Sequence, residues 1–255
     1  MNKPLMKALL ALSLLTLTAC STHYQLAGIS RSRIVIDSRY DASPDAATTA
    51  VLAPYKLKVD SVMMPVVGTV ARDMAAVRPE SDLSNLLADI LVWAGRNYDE
   101  KPVLGVYNMG GIRAALTKGD VTYGDVLAIA PFENKIAFIT LTGEQLMELF
   151  GQIARRGGEG VSHGTELVIT ADGNLVSARL HGKDIDPKAN YRVVTIDYLV
   201  QGNDGLTAFP KGSGLVSPQE ESNNSRFIIM DYFKAKAAKG EAVDAHVEGR
   251  VKIKD

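Results

Sequence analysis

The chain has 255 residues, 46% hydrophobic and 22% charged, with a formal net charge of -1. This mix reads as globular, and the length after removal of a leader suits one large domain or a domain plus an arm. The near-neutral charge and the lack of a long basic run exclude nucleic acid as an expected partner, because phosphate-backbone binding needs clustered Lys and Arg.

Lys3 and Lys7 precede an apolar run from Ala8 to Leu17. That order is the pattern of a secretory signal, and the run is well short of the ~20 apolar residues of a membrane-spanning helix. It ends in Leu17-Thr18-Ala19-Cys20, which resembles the lipobox of bacterial lipoproteins, where the cysteine is lipidated and becomes the first residue. Cys20 is the only cysteine, so an intrachain disulfide and a Cys-based metal site are both ruled out. Residues 1–19 are therefore expected to be a lipoprotein signal peptide, and Cys20 the point of attachment to a membrane through lipid. Ser21 follows in place of an inner-membrane-retaining aspartate. The expected location is the bacterial cell envelope, on the outer membrane facing the periplasm or the cell surface.

Residues 20–62 read as a tether and an N-terminal arm packed on the main domain. Within them, Arg33-Ile34-Val35-Ile36-Asp37 is a short strand candidate. Ser43-Pro44-Asp45 opens a helix, with Ser43 as N-cap and Pro44 at the first helical position. A compact domain is expected from residue 63 to 255.

In that domain, Leu83, Leu86, Leu87, Ile90 and Leu91 fall on one helical face, with Ser81 or Asp82 as the N-cap and Gly95 as the stop. Strands are expected over 103–107 and 135–141. Thr142 and Gln145 then form a capping box for a second helix with the stripe Leu146, Leu149, Phe150 and Ile153. Arg155 and Arg156 sit in its last turn, where the dipole favours cations, and Gly157 ends it. Further strands are expected over 166–170, 175–181, 191–196 and 246–253. Asp172-Gly173 makes a hairpin turn between the first two of these. A third helix is expected over 227–238. Irregular alternation with at least one hairpin predicts an α+β fold, a mixed β-sheet packed with helices.

Three loop segments carry candidate chemistry. Asn108-Met109-Gly110-Gly111-Ile112-Arg113 follows a strand; paired glycines let backbone N–H groups approach a ligand, and Arg113 offers a fork for phosphate or carboxylate. No Gly-Lys-Ser/Thr follows, so this is not a P-loop. Pro131-Phe132-Glu133-Asn134 precedes one strand, and the stretch from Asp197-Tyr198 to Asp204-Gly205 follows another. Two facing rings can hold a flat base at ~1–3 kcal/mol per stacked base. Asn134 suits a base edge and Asp204 suits ribose hydroxyls.

In order and spacing, Asn-x-Gly-Gly-Ile-Arg (108–113), Gly-Asp-Val-Thr-Tyr (119–123), Pro-Phe-x-Asn (131–134), Thr-Gly-x-x-Leu (142–146) and Gly-x-Asp-Gly (202–205) resemble the C-terminal domain of the 5'-nucleotidase and UDP-sugar hydrolase family. The resemblance spans roughly residues 63 to 253. It implies an α+β domain that binds the nucleoside of the substrate. Phe132 and Tyr198 would stack the base, and Asn134 and Asp204 would bind base and ribose. Arg113 would contact phosphate beside Asn108, Gly110 and Gly111, and Gly158 would line the pocket. Four departures stand out. Met109 occupies a usual glycine position, Tyr198 replaces the commoner phenylalanine, Glu133 stands where some members have glycine, and Arg72 and Arg78 are out of register with the family's arginines.

Full-length members of that family hydrolyse phosphate esters at a two-metal centre with Asp-x-His and Gly-Asn-His motifs. This chain has four histidines, His23, His163, His181 and His246, none in such a motif. The resemblance therefore implies the substrate-binding half of a 5'-nucleotidase-type hydrolase in nucleotide catabolism or salvage. No cofactor would sit in this chain, and a separate metallophosphoesterase chain would hold the divalent metals. Three other readings stay open: a nucleoside-binding lipoprotein without catalysis, an interaction lipoprotein that keeps only the fold, and a hydrolase built on Ser162, His163 and Asp172.

Overall fold

A computed structural model describes residues 24–254. The expected signal peptide over 1–19, Cys20 and His23 lie outside the described residues. The chain divides into two units, Met1–Val51 and Leu52–Asp255.

In the first unit, residues 33–37 form no strand. Ile34 and Ile36 are exposed, and Asp37 caps a single 3-10 turn over Ser38–Tyr40 by accepting the Arg39 N–H. An apolar run of three residues is too short to hold a strand without a ladder partner for its backbone groups. Helix α1 spans Ala46–Met63. Its cap is Asp45, not Ser43: Asp45 Oδ1 accepts the Thr48 N–H at 2.7 Å. A carboxylate at this position satisfies a free first-turn N–H and also meets the positive end of the helix dipole.

The second unit holds three sheets. Strands β1 (Val66–Val70) and β3 (Gly119–Thr122) form an antiparallel pair. A five-stranded sheet has the order β10-β4-β9-β2-β5, built from Ser213–Val216, Ile136–Thr142, Asn190–Ile196, Leu104–Tyr107 and Gly160–Val161. A four-stranded sheet runs β11-β6-β7-β8, from Val251–Ile253, Thr165–Ile169, Leu175–Leu180 and Lys183–Asp184. Both larger sheets are mixed: β2 pairs parallel to β9 and β11 parallel to β6, while the other pairs are antiparallel. The fold is thus α+β, with the Asp172-Gly173 hairpin joining β6 to β7.

Helix α2 (Asp82–Ala94) packs on β2 and β5, and α4 (Gly143–Arg155) packs on β4 and β7. The expected stripes, Leu83/Leu86/Leu87/Ile90/Leu91 and Leu146/Leu149/Phe150/Ile153, are fully buried in one core. Each such side chain contributes roughly 1.5–3 kcal/mol by leaving water. Both helices start on reciprocal capping boxes, Ser81 with Ser84 and Thr142 with Gln145.

Gly95 is the C-cap of α2, as expected, but in a right-handed conformation. Its φ is -49°, and the chain continues as a 3-10 turn to Tyr98 before Asp99 turns left-handed at φ 55°. Glycine is needed there for space, since a Cβ would lie 2.7 Å from Pro102 Cδ and 2.8 Å from the Glu100 carbonyl. The strand expected over 246–253 shrinks to β11. The Glu248 and Gly249 N–H groups donate instead to the buried carboxylate of Glu80, at 2.8 and 3.2 Å. The helix expected over 227–238 is α6, which begins at Ser225 and ends at Ala237. Two short helices were not expected: α3 (Tyr123–Ile129), on a Thr122/Asp125 capping box, and α5 (Asp197–Val200). Among the described residues, no helix is long and apolar enough to cross a membrane.

Candidate ligand-binding site

Sheet topology brings three loops to one edge. β2 and β9 run parallel, so Asn108 after β2 and Tyr198 after β9 leave the sheet at the same end. β4 runs antiparallel to β9 with Ile136 opposite Ile196, so the Phe132–Asn134 loop enters β4 at that end too. The Asn134 carbonyl is fixed by accepting the Ser225 N–H at 2.8 Å, which ties this loop to the start of α6.

These loops enclose a cavity of about 320 Å³ lined by Asn108, Gly110, Gly111, Arg113, Phe132, Asn134, Tyr198 and Asp204. Eight of the nine candidate residues therefore meet in one place, although Asn108 and Asp204 are 96 positions apart in sequence. The rings of Phe132 and Tyr198 remain 46% and 37% exposed, an apolar surface that an inserted flat ligand would cover. A wider groove of about 750 Å³ lies near His163 and His181, but no Phe, Tyr or Trp lines it.

Gly158 is the exception and does not line the cavity. It follows the end of α4 with φ +106°, and a Cβ there would lie 2.2 Å from the Pro79 carbonyl oxygen. Its glycine serves a close approach of two backbones.

Asp204 is the polar centre of the cavity. Its Oδ2 accepts from Asn108 Nδ2 at 2.8 Å, and its Oδ1 accepts from the Tyr198 hydroxyl at 3.3 Å. Its backbone is left-handed at φ 57°, which costs ~1–2 kcal/mol for a residue with a Cβ. The Tyr198 phenol pKa is raised, by desolvation first and then by the Asp204 charge. Asn108 is buried, and its Oδ1 has no partner. That oxygen rests against Gly111, where a Cβ would come within 2.6 Å of it. Arg113 donates to the Gly110 carbonyl at 3.3 Å, and its guanidinium sits 5.9 Å from the Phe132 ring centre. The site thus carries both a cation, Arg113, and a carboxylate, Asp204.

Two residues that matter here carry no sequence signal for it. Glu159 is buried, and its Oε2 accepts the Met109 N–H at 2.5 Å. Its Oε1 accepts from Arg78 at 2.6 Å and from Arg156 Nε. Arg156 ends α4, as a dipole argument expects, and also donates to the Asp204 carbonyl at 2.8 Å. Burial opposes the Arg156 charge, but the Glu159 and Asp204 carboxylates outweigh it and raise its pKa. Arg72, the other arginine out of register with the family pattern, pairs with Asp244 at 2.7 Å.

Ser162, His163 and Asp172 do not form a triad. Ser162 Oγ accepts the Gly105 N–H, the His163 ring faces Glu248 at 2.8 Å, and Asp172 holds Asn174 at 2.8 Å. Among the described residues, no group of three or more His, Cys, Asp or Glu is placed to hold a metal ion.

Residues 66–211 match the family described as the 5'-nucleotidase, C-terminal domain. Protein UshA of Yersinia enterocolitica is 28% identical over 214 residues, covering 80% of this chain and 36% of that protein. The cell wall protein Lmo0130 of Listeria monocytogenes is 24% identical over 244 residues, covering 86% of this chain and 30% of that one. The crystal structure of a 5'-nucleotidase precursor from Thermus thermophilus superposes with a TM-score of 0.71 at 26% identity, over 84% of this chain and 44% of that chain. The chain spans about a third of the length of these two curated relatives.

Proposed function

Because the chain belongs to the 5'-nucleotidase C-terminal domain family, we propose that its cavity binds the nucleoside part of a nucleotide. In this reading the base stacks between Phe132 and Tyr198 and presents an edge to Asn134. A ribose hydroxyl donates to Asp204. Phosphate lies toward Arg113 and the Gly110 N–H, the Gly111 N–H being used within the turn on the Asn108 carbonyl at 3.0 Å; a cation and a glycine-rich turn suit an anion. The observation that carries the proposal is the convergence of two half-exposed rings, an amide, a carboxylate and an arginine on one cavity.

Among the described residues no group of three or more His, Cys, Asp or Glu is placed to hold a metal ion, and the carboxylates of Asp204 and Glu159 are engaged with Asn108, Arg78 and Arg156. In this reading phosphoester hydrolysis lies with a separate metallophosphoesterase chain, to which this chain offers the substrate. Lipid on Cys20 would hold it in the cell envelope, a location in keeping with the cell wall protein among its relatives.

The test is calorimetric titration with adenosine, AMP and UDP-glucose, with Phe132→Ala as control. Saturable binding that the control loses supports the reading. Mixing with an exported metallophosphoesterase then tests the partner: neither association nor gained hydrolysis removes that part of it.

A further inference from the structure

The two walls of the cavity are held from behind by one side chain that does not touch the cavity. The side chain of Glu159 is fully buried. One of its oxygens fixes the Gly-Gly turn through the Met109 N–H at 2.5 Å. The other takes Arg156, whose fork continues to the Asp204 carbonyl at 2.8 Å and the Asp204 carboxylate at 3.5 Å. Arg78 supplies a second guanidinium, at 2.6 Å. Two cations and a backbone N–H together offset the cost of burying this charge. Asp204 is left-handed, a conformation Asp tolerates better than most residues with a Cβ, and Arg156 fixes this turn from outside it.

We infer that Glu159 is the positioning residue of the ligand site. It sets the distance between the Gly-Gly turn and Asp204, and so whether Asn108 and Asp204 meet. The assignment rests on the nucleoside reading given above. Glutamine has nearly the same shape, but it presents an amide N–H₂ where Glu159 presents an acceptor. In Glu159→Gln a donor therefore faces either the Met109 N–H or a guanidinium, and one wall loses its anchor. Glu159 does not line the cavity, so any loss of affinity is transmitted through those anchors.

The experiment titrates AMP into the full chain as wild type, Glu159→Gln and the double variant Glu159→Gln/Arg156→Gln, with a thermal melt of each. Glu159→Gln is expected to weaken AMP binding by roughly tenfold or more and to lower the melting temperature, since misplaced binding groups are costly. The double variant removes one of the two cations that the Glu159 charge balances and regains part of the melting temperature, yet its affinity stays low because Asp204 has lost its clamp. A role in stability alone predicts that affinity returns with the melting temperature, and that result overturns the assignment. So does Glu159→Gln affinity within about twofold of wild type. Should Glu159→Gln fail to fold, Arg156→Lys carries the test, keeping the charge beside Glu159 and losing the fork to Asp204. The same affinity loss is expected, and an unchanged affinity overturns the assignment. A wild-type chain that binds no nucleotide overturns the nucleoside reading and this assignment with it; wild-type binding with unchanged variants overturns this assignment alone.

Discussion

Asn108 Nδ2 donates to Asp204 Oδ2 at 2.8 Å, closing a cavity between the loop after β2 and the turn after α5. The bond depends on the absence of a side chain at Gly111, where a Cβ would meet Asn108 Oδ1 at 2.6 Å. Gly111→Ala is therefore expected to push the amide away from Asp204. Losing a hydrogen bond to a charged group costs ~1.5–3 kcal/mol, so nucleoside affinity should fall roughly tenfold or more. Calorimetry measures the affinity, and circular dichroism checks that the fold persists.

The two rings are expected to act unequally under conservative change. Phe132→Ala removes a stacking face worth ~1–3 kcal/mol and should weaken adenosine binding about five- to 150-fold. Tyr198→Phe keeps a face and removes only the hydroxyl contact to Asp204 at 3.3 Å, so its effect should be several times smaller. Titrating adenosine into both variants compares them directly.

Acid should weaken the fold through Glu100. Its hydrogen bond with Arg192, Nε to Oε2 at 2.7 Å, outweighs burial and holds the carboxyl below its ordinary value of 4.5. A carboxyl lowered in the folded state stabilises the fold above its unfolded pKa. That contribution is lost as pH falls through the lowered folded value. Urea midpoints should therefore hold from neutral pH down to that ordinary value and drop below it. Glu100→Gln should be less stable at neutral pH and lose less on acidification.

The core prediction is independent of function. Leu149 is fully buried on the face of α4. Leu149→Ala should cost ~2–5 kcal/mol through lost burial and a residual cavity. Thermal or urea unfolding of the variant checks it.

The long helices and the β6–β7 hairpin were legible because their signals are local. A buried stripe repeats every three to four residues, and a capping box lies within four. The 33–37 run carries an equally local strand signal but found no sheet edge, and 246–250 lost its ladder to Glu80, 168 residues away in the pairing with Glu248. The cavity was legible as a set of loop motifs, since strand order returns Asn108, Phe132 and Tyr198 to one sheet edge. Gly158 was misplaced because glycine spacing cannot say whether a close approach is to a ligand or to the Pro79 backbone. Glu159 was missed because no pattern around it marks a buried carboxylate; only folding brings Arg78 and the Met109 N–H to it.

The most direct measurement is a calorimetric titration of the chain with adenosine, beside Phe132→Ala. Saturable one-site binding by the wild type, lost or strongly weakened in Phe132→Ala, is the predicted result. A flat wild-type titration, or equal binding by the variant, would contradict a nucleoside held against Phe132 and Tyr198.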